Sequence, residues 1–165
     1  MTPAEKRYLE LYKEMAVLCA EQQWGDPFSY ARSKEIYAAI VLGHNVAETL
    51  SGADSYDERG LACEFKSTTQ KTCSGSYTGV SVQDTWEEQE KYLAEEKIKP
   101  YRHFYNRFDD GELVESWTIA GDVVHKLLLP KFEKKFPTVL TKKDPRLSAS
   151  VSWAEIKKHG TKVIG

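Results

Sequence analysis

Apolar and polar positions change period several times along this chain. Tyr8, Leu11, Tyr12, Met15, Leu18 and Cys19 recur at three- and four-residue steps, which predicts an amphipathic helix. Thr2-Pro3-Ala4-Glu5 is its start signal: Thr caps, Pro fits the first turn, and Glu three residues on closes a capping box. The helix is predicted to run to about Gln23 and to end before Gly25. A second helix is predicted to begin near Ser29 or Ser33, with Tyr37, Ile40, Val41 and His44 on one face. Between Leu50 and Thr69 the period falls toward two. Gly52–Tyr56 reads as extended, Asp57-Glu58-Arg59-Gly60 as a turn and Leu61–Thr68 as a strand, together a β-hairpin. Lys71–Val82, rich in Ser, Thr and Gly, reads as a loop or irregular strand.

Asp84-Thr85-Trp86-Glu87 opens a charged helix to about Lys97, stopped by Pro100. Tyr101–Phe108 and Leu113–Ala120 flank Asp109-Asp110-Gly111-Glu112 as a second hairpin. Asp122 is expected to cap a helix through Leu128, with Pro130 kinking or restarting it toward Phe136. Leu147–Val151 reads as a strand. Ser152-Trp153-Ala154-Glu155 is a further capping box whose helix ends at Gly160, and Val163-Ile164 closes as an edge strand. Without repeats or a composition break, residues 1–165 are expected to form a single α+β or mixed α/β domain. Residues 1–46 are its helical region and 47–165 its core.

A net charge of −2 does not announce a polyanionic partner, although a local basic face can hide in a neutral total. Lys126, Lys131, Lys134 and Lys135 form one such patch, read either as a solvated face or as a surface that steers DNA. No apolar run reaches transmembrane length. The first residues, MTPAEKRYLELYKE, lack the apolar core of a signal peptide. Cys19, Cys63 and Cys73 are odd in number and widely spread, so they read as reduced thiols. These features lead to the expectation of a cytoplasmic protein with no membrane partner.

The chemistry is expected around "ACEFKST", residues 62–68. Strand alternation puts Cys63 and Phe65 toward the core and Ala62, Glu64 and Lys66 on the other face. A hairpin folded at Asp57–Gly60 brings Asp54 roughly opposite Glu64. Two carboxylates can hold Mg²⁺, which keeps several waters and takes few protein oxygens. The metal polarises a phosphate and acidifies a bound water, and Lys66 can neutralise charge beside it. The Phe65 backbone carbonyl is a further candidate metal ligand. The spacing alone also suits a hairpin with a surface ion pair. His103 reads as a satisfied sheet histidine.

"GADSYDERGLACEFKST" resembles the active-site hairpin of the PD-(D/E)xK nuclease superfamily, and within it the type II restriction endonucleases of the PvuII group. Asp54, nine residues, then Glu64-Phe65-Lys66-Ser67 match that pattern without a gap. "HGTKVIG", residues 159–165, is similar to the group's C-terminal segment. The resemblance implies a restriction-endonuclease-like core and Asp54, Glu64 and Lys66 as catalytic residues. It implies Mg²⁺ as cofactor, with Mn²⁺ able to substitute, and a homodimer that cuts double-stranded DNA at a palindromic or near-palindromic site. Its N-terminal helices would contribute to the dimer interface. Two features depart from the group. The histidines that read bases are replaced by Tyr77-Thr78-Gly79-Val80, and an additional family Glu three residues before Asp54 is Ser51 here. Within this reading, Ser67, Thr68, Thr69, Gln70, Lys71, Ser76, Tyr77 and Arg32 are the candidate DNA contacts; outside it, residues 67–77 are a polar loop. A homing or repair nuclease on the same hairpin, and a non-enzymatic α+β binding module, are the alternatives.

Overall fold

Helix α1 (Pro3–Glu21) opens as its sequence predicts: the Thr2 hydroxyl accepts from the Glu5 N–H, and the Glu5 carboxylate accepts from the Thr2 N–H. The apolar stripe that marks this helix is not buried. Tyr8, Leu11, Tyr12, Met15 and Leu18 are all exposed, and Cys19 is the helix's one buried residue. The computed structural model describes residues 1–48 and 52–165. They group into two compact units, Met1–Gly60 and Leu61–Gly165.

In the first unit, α2 (Arg32–Leu42) begins after Ala31, so neither Ser29 nor Ser33 caps it. Gly43, with φ +73°, ends it in the left-handed conformation that a Cβ disfavours. The buried face is Arg32, Ile36 and Ala39, at helical spacing, while Ile40 and Val41 of the predicted stripe are exposed. Arg32 is a candidate DNA contact by sequence. It is instead only 1% exposed, donates from Nε to the Trp24 carbonyl (2.7 Å) and from its guanidinium to the Ala47 carbonyl, and pairs with Glu35 at 3.3 Å. A buried guanidinium needs such partners, and they leave it tying α2 to the segments on either side. Strands β1 (Asn45–Val46) and β2 (Ser55–Tyr56) pair antiparallel.

The second unit holds a mixed sheet. β3 (Ala62–Thr68) runs parallel to β5 (Arg102–Asp109). β5 pairs antiparallel with β6 (Glu112–Ile119), and β6 with β8 (Thr161–Ile164), giving the order β3-β5-β6-β8. The β5–β6 turn places Asp110 and Gly111 at positive φ, as a tight hairpin requires. The stretch read as loop or irregular strand is β4 (Gly75–Ser81), bulged between Tyr77 and Val80 and paired antiparallel with β7 (Arg146–Val151).

Helix α3 (Trp86–Tyr92) is capped by Thr85 with Glu88, one residue later than predicted, and passes into a π-helical turn, Leu93–Lys97. Helix α4 (Gly121–Val139) corrects one expectation: Ala120, not Asp122, precedes its first turn. The helix continues past Pro130 without restarting and through Pro137. Val124, Leu128, Phe132, Phe136 and Val139 are buried at helical spacing on both sides of the prolines, so burial of this face outweighs the lost hydrogen bonds. Helix α5 (Trp153–His159) has its predicted Ser152–Glu155 capping box. The core joins this α4 face to Tyr77, Val80, Leu93, Ile98, Tyr105, Leu147, Val151 and Ile156. The chain is thus mixed α+β, with five α-helices among the described residues.

Candidate functional site

Strand β3 alternates as its sequence predicts. Cys63 and Phe65 are buried, and Phe65 packs edge-on against Phe104 with ring centroids 5.6 Å apart. On the other face, the Glu64 and Lys66 side chains keep 13% and 21% of their exposure, and the Lys66 ammonium donates to the Glu64 carboxylate. An ion pair so placed is strengthened by partial desolvation yet still open to a ligand.

Parallel register carries this face onto β5, with Glu64 beside His103 and Lys66 beside Tyr105. β4 closes over it. The Tyr77 ring lies 5.0 Å from the Lys66 ammonium, measured to the ring centroid. The Tyr77 hydroxyl is 2.8 Å from His103 Nδ1 and 2.9 Å from the Tyr105 hydroxyl, and His103 Nε2 is 2.8 Å from the Ile98 carbonyl. Burial pushes His103 down to about 4, against the raising effects of the Ile98 carbonyl and Glu64, so the ring is neutral at pH 7. Burial raises both tyrosines.

The direction of the chain follows from its end. A carbonyl only accepts, so His103 Nε2 carries the ring's one proton and Nδ1 must accept. Tyr77 therefore donates to His103, and Tyr105 donates to Tyr77. The π-helical turn just before Ile98 brings that carbonyl to His103.

Asp54 belongs to the first unit, where its backbone carbonyl accepts from the Ala47 N–H at 3.2 Å next to the β1–β2 pairing. Ser51 lies outside the described residues. No group of three or more His, Cys, Asp or Glu converges on a cation position among the described residues. The expected ligand set needs fewer, two carboxylates and a backbone carbonyl, and its all-oxygen chemistry suits a hard cation.

The expected DNA contacts divide. Thr69, Gln70, Lys71 and Ser76 are exposed. Thr68 is half-buried and its hydroxyl accepts from the Gln70 N–H at 3.0 Å. Ser67 points to the Cys63–Phe65 side, where its hydroxyl is buried without a protein partner. Tyr77, 3% exposed, is an inner wall and not a surface reader. Sequence reasoning missed Tyr105 and the joining of Tyr77 to His103. One signal was present: Glu64-Phe65-Lys66 and His103-Phe104-Tyr105 share one alternation, so adjacent strands in register put their polar residues on one face.

The C-terminal HGTKV segment forms the α5–β8 corner. Lys162 lies 6.0 Å from the Trp117 ring centroid and 3.9 Å from Glu115. Burial pushes the Glu115 carboxyl up, but hydrogen bonds from Trp117 and Arg107 and the nearby cations outweigh it and leave the group lowered. No family model and no curated protein matches the chain.

Proposed function

We propose that the chain is a Mg²⁺-dependent endonuclease of double-stranded DNA, of the type II restriction kind, with a restriction-endonuclease-like core and acting as a homodimer. The observation that carries the reading is the half-buried Glu64–Lys66 pair on one face of β3, backed by buried Cys63 and Phe65. Asp54, Glu64 and the Phe65 carbonyl are the residues that would hold the ion. When bound, it supplies Lewis acidity and lowers the pKa of a coordinated water. Glu64 orients Lys66, whose ammonium neutralises charge gathering on the scissile phosphate. Thr69, Gln70, Lys71 and Ser76 are exposed and polar, as contacts to phosphates or base edges require. The exposed apolar stripe of α1 is the kind of surface that a second copy would cover, and a two-fold dimer implies a palindromic target.

The test is cleavage of phage-length duplex DNA in Mg²⁺ against EDTA. Discrete fragments are expected in Mg²⁺ alone. Lys66→Ala should reduce the rate roughly 10³-fold, as loss of a group that stabilises developing charge does, while circular dichroism stays native. Intact DNA at high protein concentration with Mg²⁺ and with Mn²⁺ would sink the reading.

A further inference from the structure

We propose that Tyr77 is the positioning residue of Lys66, its ring a seat for the ammonium and its hydroxyl the fastening that keeps the seat still. The proposal rests on the nuclease reading for its purpose and on geometry for its substance.

Three observations converge on it. First, the Lys66 ammonium lies 5.0 Å from the centroid of the Tyr77 ring, within the distance at which a ring face attracts a cation. Glu64 holds the same ammonium on its own strand. The ammonium is thus fixed from two elements, a carboxylate on β3 and an aromatic face on β4.

Second, the Tyr77 ring is pinned in place. Its hydroxyl donates to His103 and accepts from Tyr105, and His103 in turn donates to the Ile98 carbonyl. All three side chains are buried, so none of these bonds is exchanged for water at small cost. A phenol with both hydroxyl functions used can neither tilt nor withdraw without orphaning a buried group. This also accounts for a tyrosine where phenylalanine would fill the same space.

Third, β4 reaches this position only because residue 75 has no side chain. A Cβ at Gly75 would lie 2.2 Å from Tyr105 Cε1 and 3.2 Å from Lys66 Cγ. The backbone of β4 therefore passes over the Tyr105 ring and the Lys66 stem, two residues before Tyr77. Gly75, Tyr77, Tyr105 and Lys66 make one packed unit, and the lysine's reach is set by it.

Lysine carries a flexible stem with substantial rotamer freedom, so an ammonium held only by its neighbouring carboxylate would sample several positions. A seat that removes this freedom acts on the chemical step and not on DNA capture. Misplacement of a reacting group by about 1 Å costs on the order of 10²-fold in rate.

The experiment uses full-length protein with lysine labelled by ¹³C at the ε position, and Lys66→Arg to assign the signal. In wild type, the Lys66 ε-methylene should be shifted upfield of the other lysines by the Tyr77 ring current. Tyr77→Phe should keep most of that shift, with broadening. Tyr77→Leu should abolish it. On DNA, Tyr77→Leu is expected to lower kcat by about 10–10²-fold with KM within about twofold, and Tyr77→Phe to fall between it and wild type. A Lys66 signal in wild type at the position of exposed lysines overturns the proposal, and that result needs no variant to fold. Unchanged kcat in folded Tyr77→Leu overturns it as well, reducing Tyr77 to packing. If wild type cuts no DNA yet shows the shifted signal and loses it in Tyr77→Leu, the seat stands and the nuclease reading falls.

Discussion

Two glycines test the packing at the scale of single residues, and they differ in what a methyl group would strike. At Gly75 the obstacle is the Tyr105 ring, which its bond to Tyr77 prevents from turning aside. Gly75→Ala is expected to lower stability by about 1–3 kcal/mol, read from the urea midpoint. At Gly121 the obstacle is backbone, with the Lys99 and Tyr101 carbonyl oxygens 2.3 Å from the added Cβ. Main chain yields less readily than a side chain, so Gly121→Ala should cost more than Gly75→Ala in the same titration; an equal or smaller cost would contradict this packing. At this scale Glu64, Lys66, Cys63 and Phe65 were legible, because alternation on a strand needs only the strand. Tyr77 and Arg32 were not. Each is polar by composition, and its burial depends on acceptors far off in sequence: His103 for one, Trp24 and Ala47 for the other.

At the scale of elements, helix starts were the most legible feature. Capping boxes at Thr2 and Ser152 form where predicted, since a hydroxyl and a carboxylate three residues apart each accept from the other residue's backbone N–H. Ser152→Ala should cost about 1 kcal/mol in thermal or urea unfolding. Helix ends and faces were less legible. The Tyr37–Ile40–Val41 stripe of α2 reads as apolar, but Arg32, Ile36, Ala38 and Ala39 are what this helix buries. Local pattern marks a face as apolar without saying what covers it. Helix α1 shows this most clearly, with its stripe of Tyr8, Leu11, Tyr12, Met15 and Leu18 exposed. If a second copy covers it, Leu11→Glu with Met15→Glu should convert a dimer to a monomer by sedimentation velocity while the helix content holds. A wild-type monomer at all concentrations would refute that assembly.

At the scale of the whole molecule, acid should destabilise the fold through two sets of groups, both of the same sign. Folded His103 titrates near 4 against a usual 6.5, so between those values the unfolded chain binds more protons than the folded one. Stability therefore falls as pH drops through this window, by at most about 1.4 kcal/mol per pH unit from this residue, and is independent of it above about 6.5. Glu115 and Glu155 are lowered from 4.5 when folded, and their contribution is lost as pH falls below that value. Urea midpoints from pH 7.5 to 4 should show the first slope, and a folded His103→Asn variant should reduce it, leaving the part due to His125, which burial also lowers. The mixed α+β class was legible, because helix signals bracketed strand signals. The parallel pairing of β3 with β5 was not, since that choice is made by a long crossover through β4 and α3 and leaves no local trace.

Strand β8 is four residues long and lies at the margin of its sheet, pairing with β6. Short edge strands bearing lysine resist pairing with other molecules, because a charge would have to be carried into the joint. Removing residues 161–165 would leave the Ser116–Thr118 stretch of β6, which β8 pairs, as a free margin. A chain lacking its last five residues should therefore aggregate through β6, visible as thioflavin-positive material. On that outcome, strand β8 acts as a guard against self-templated fibre growth.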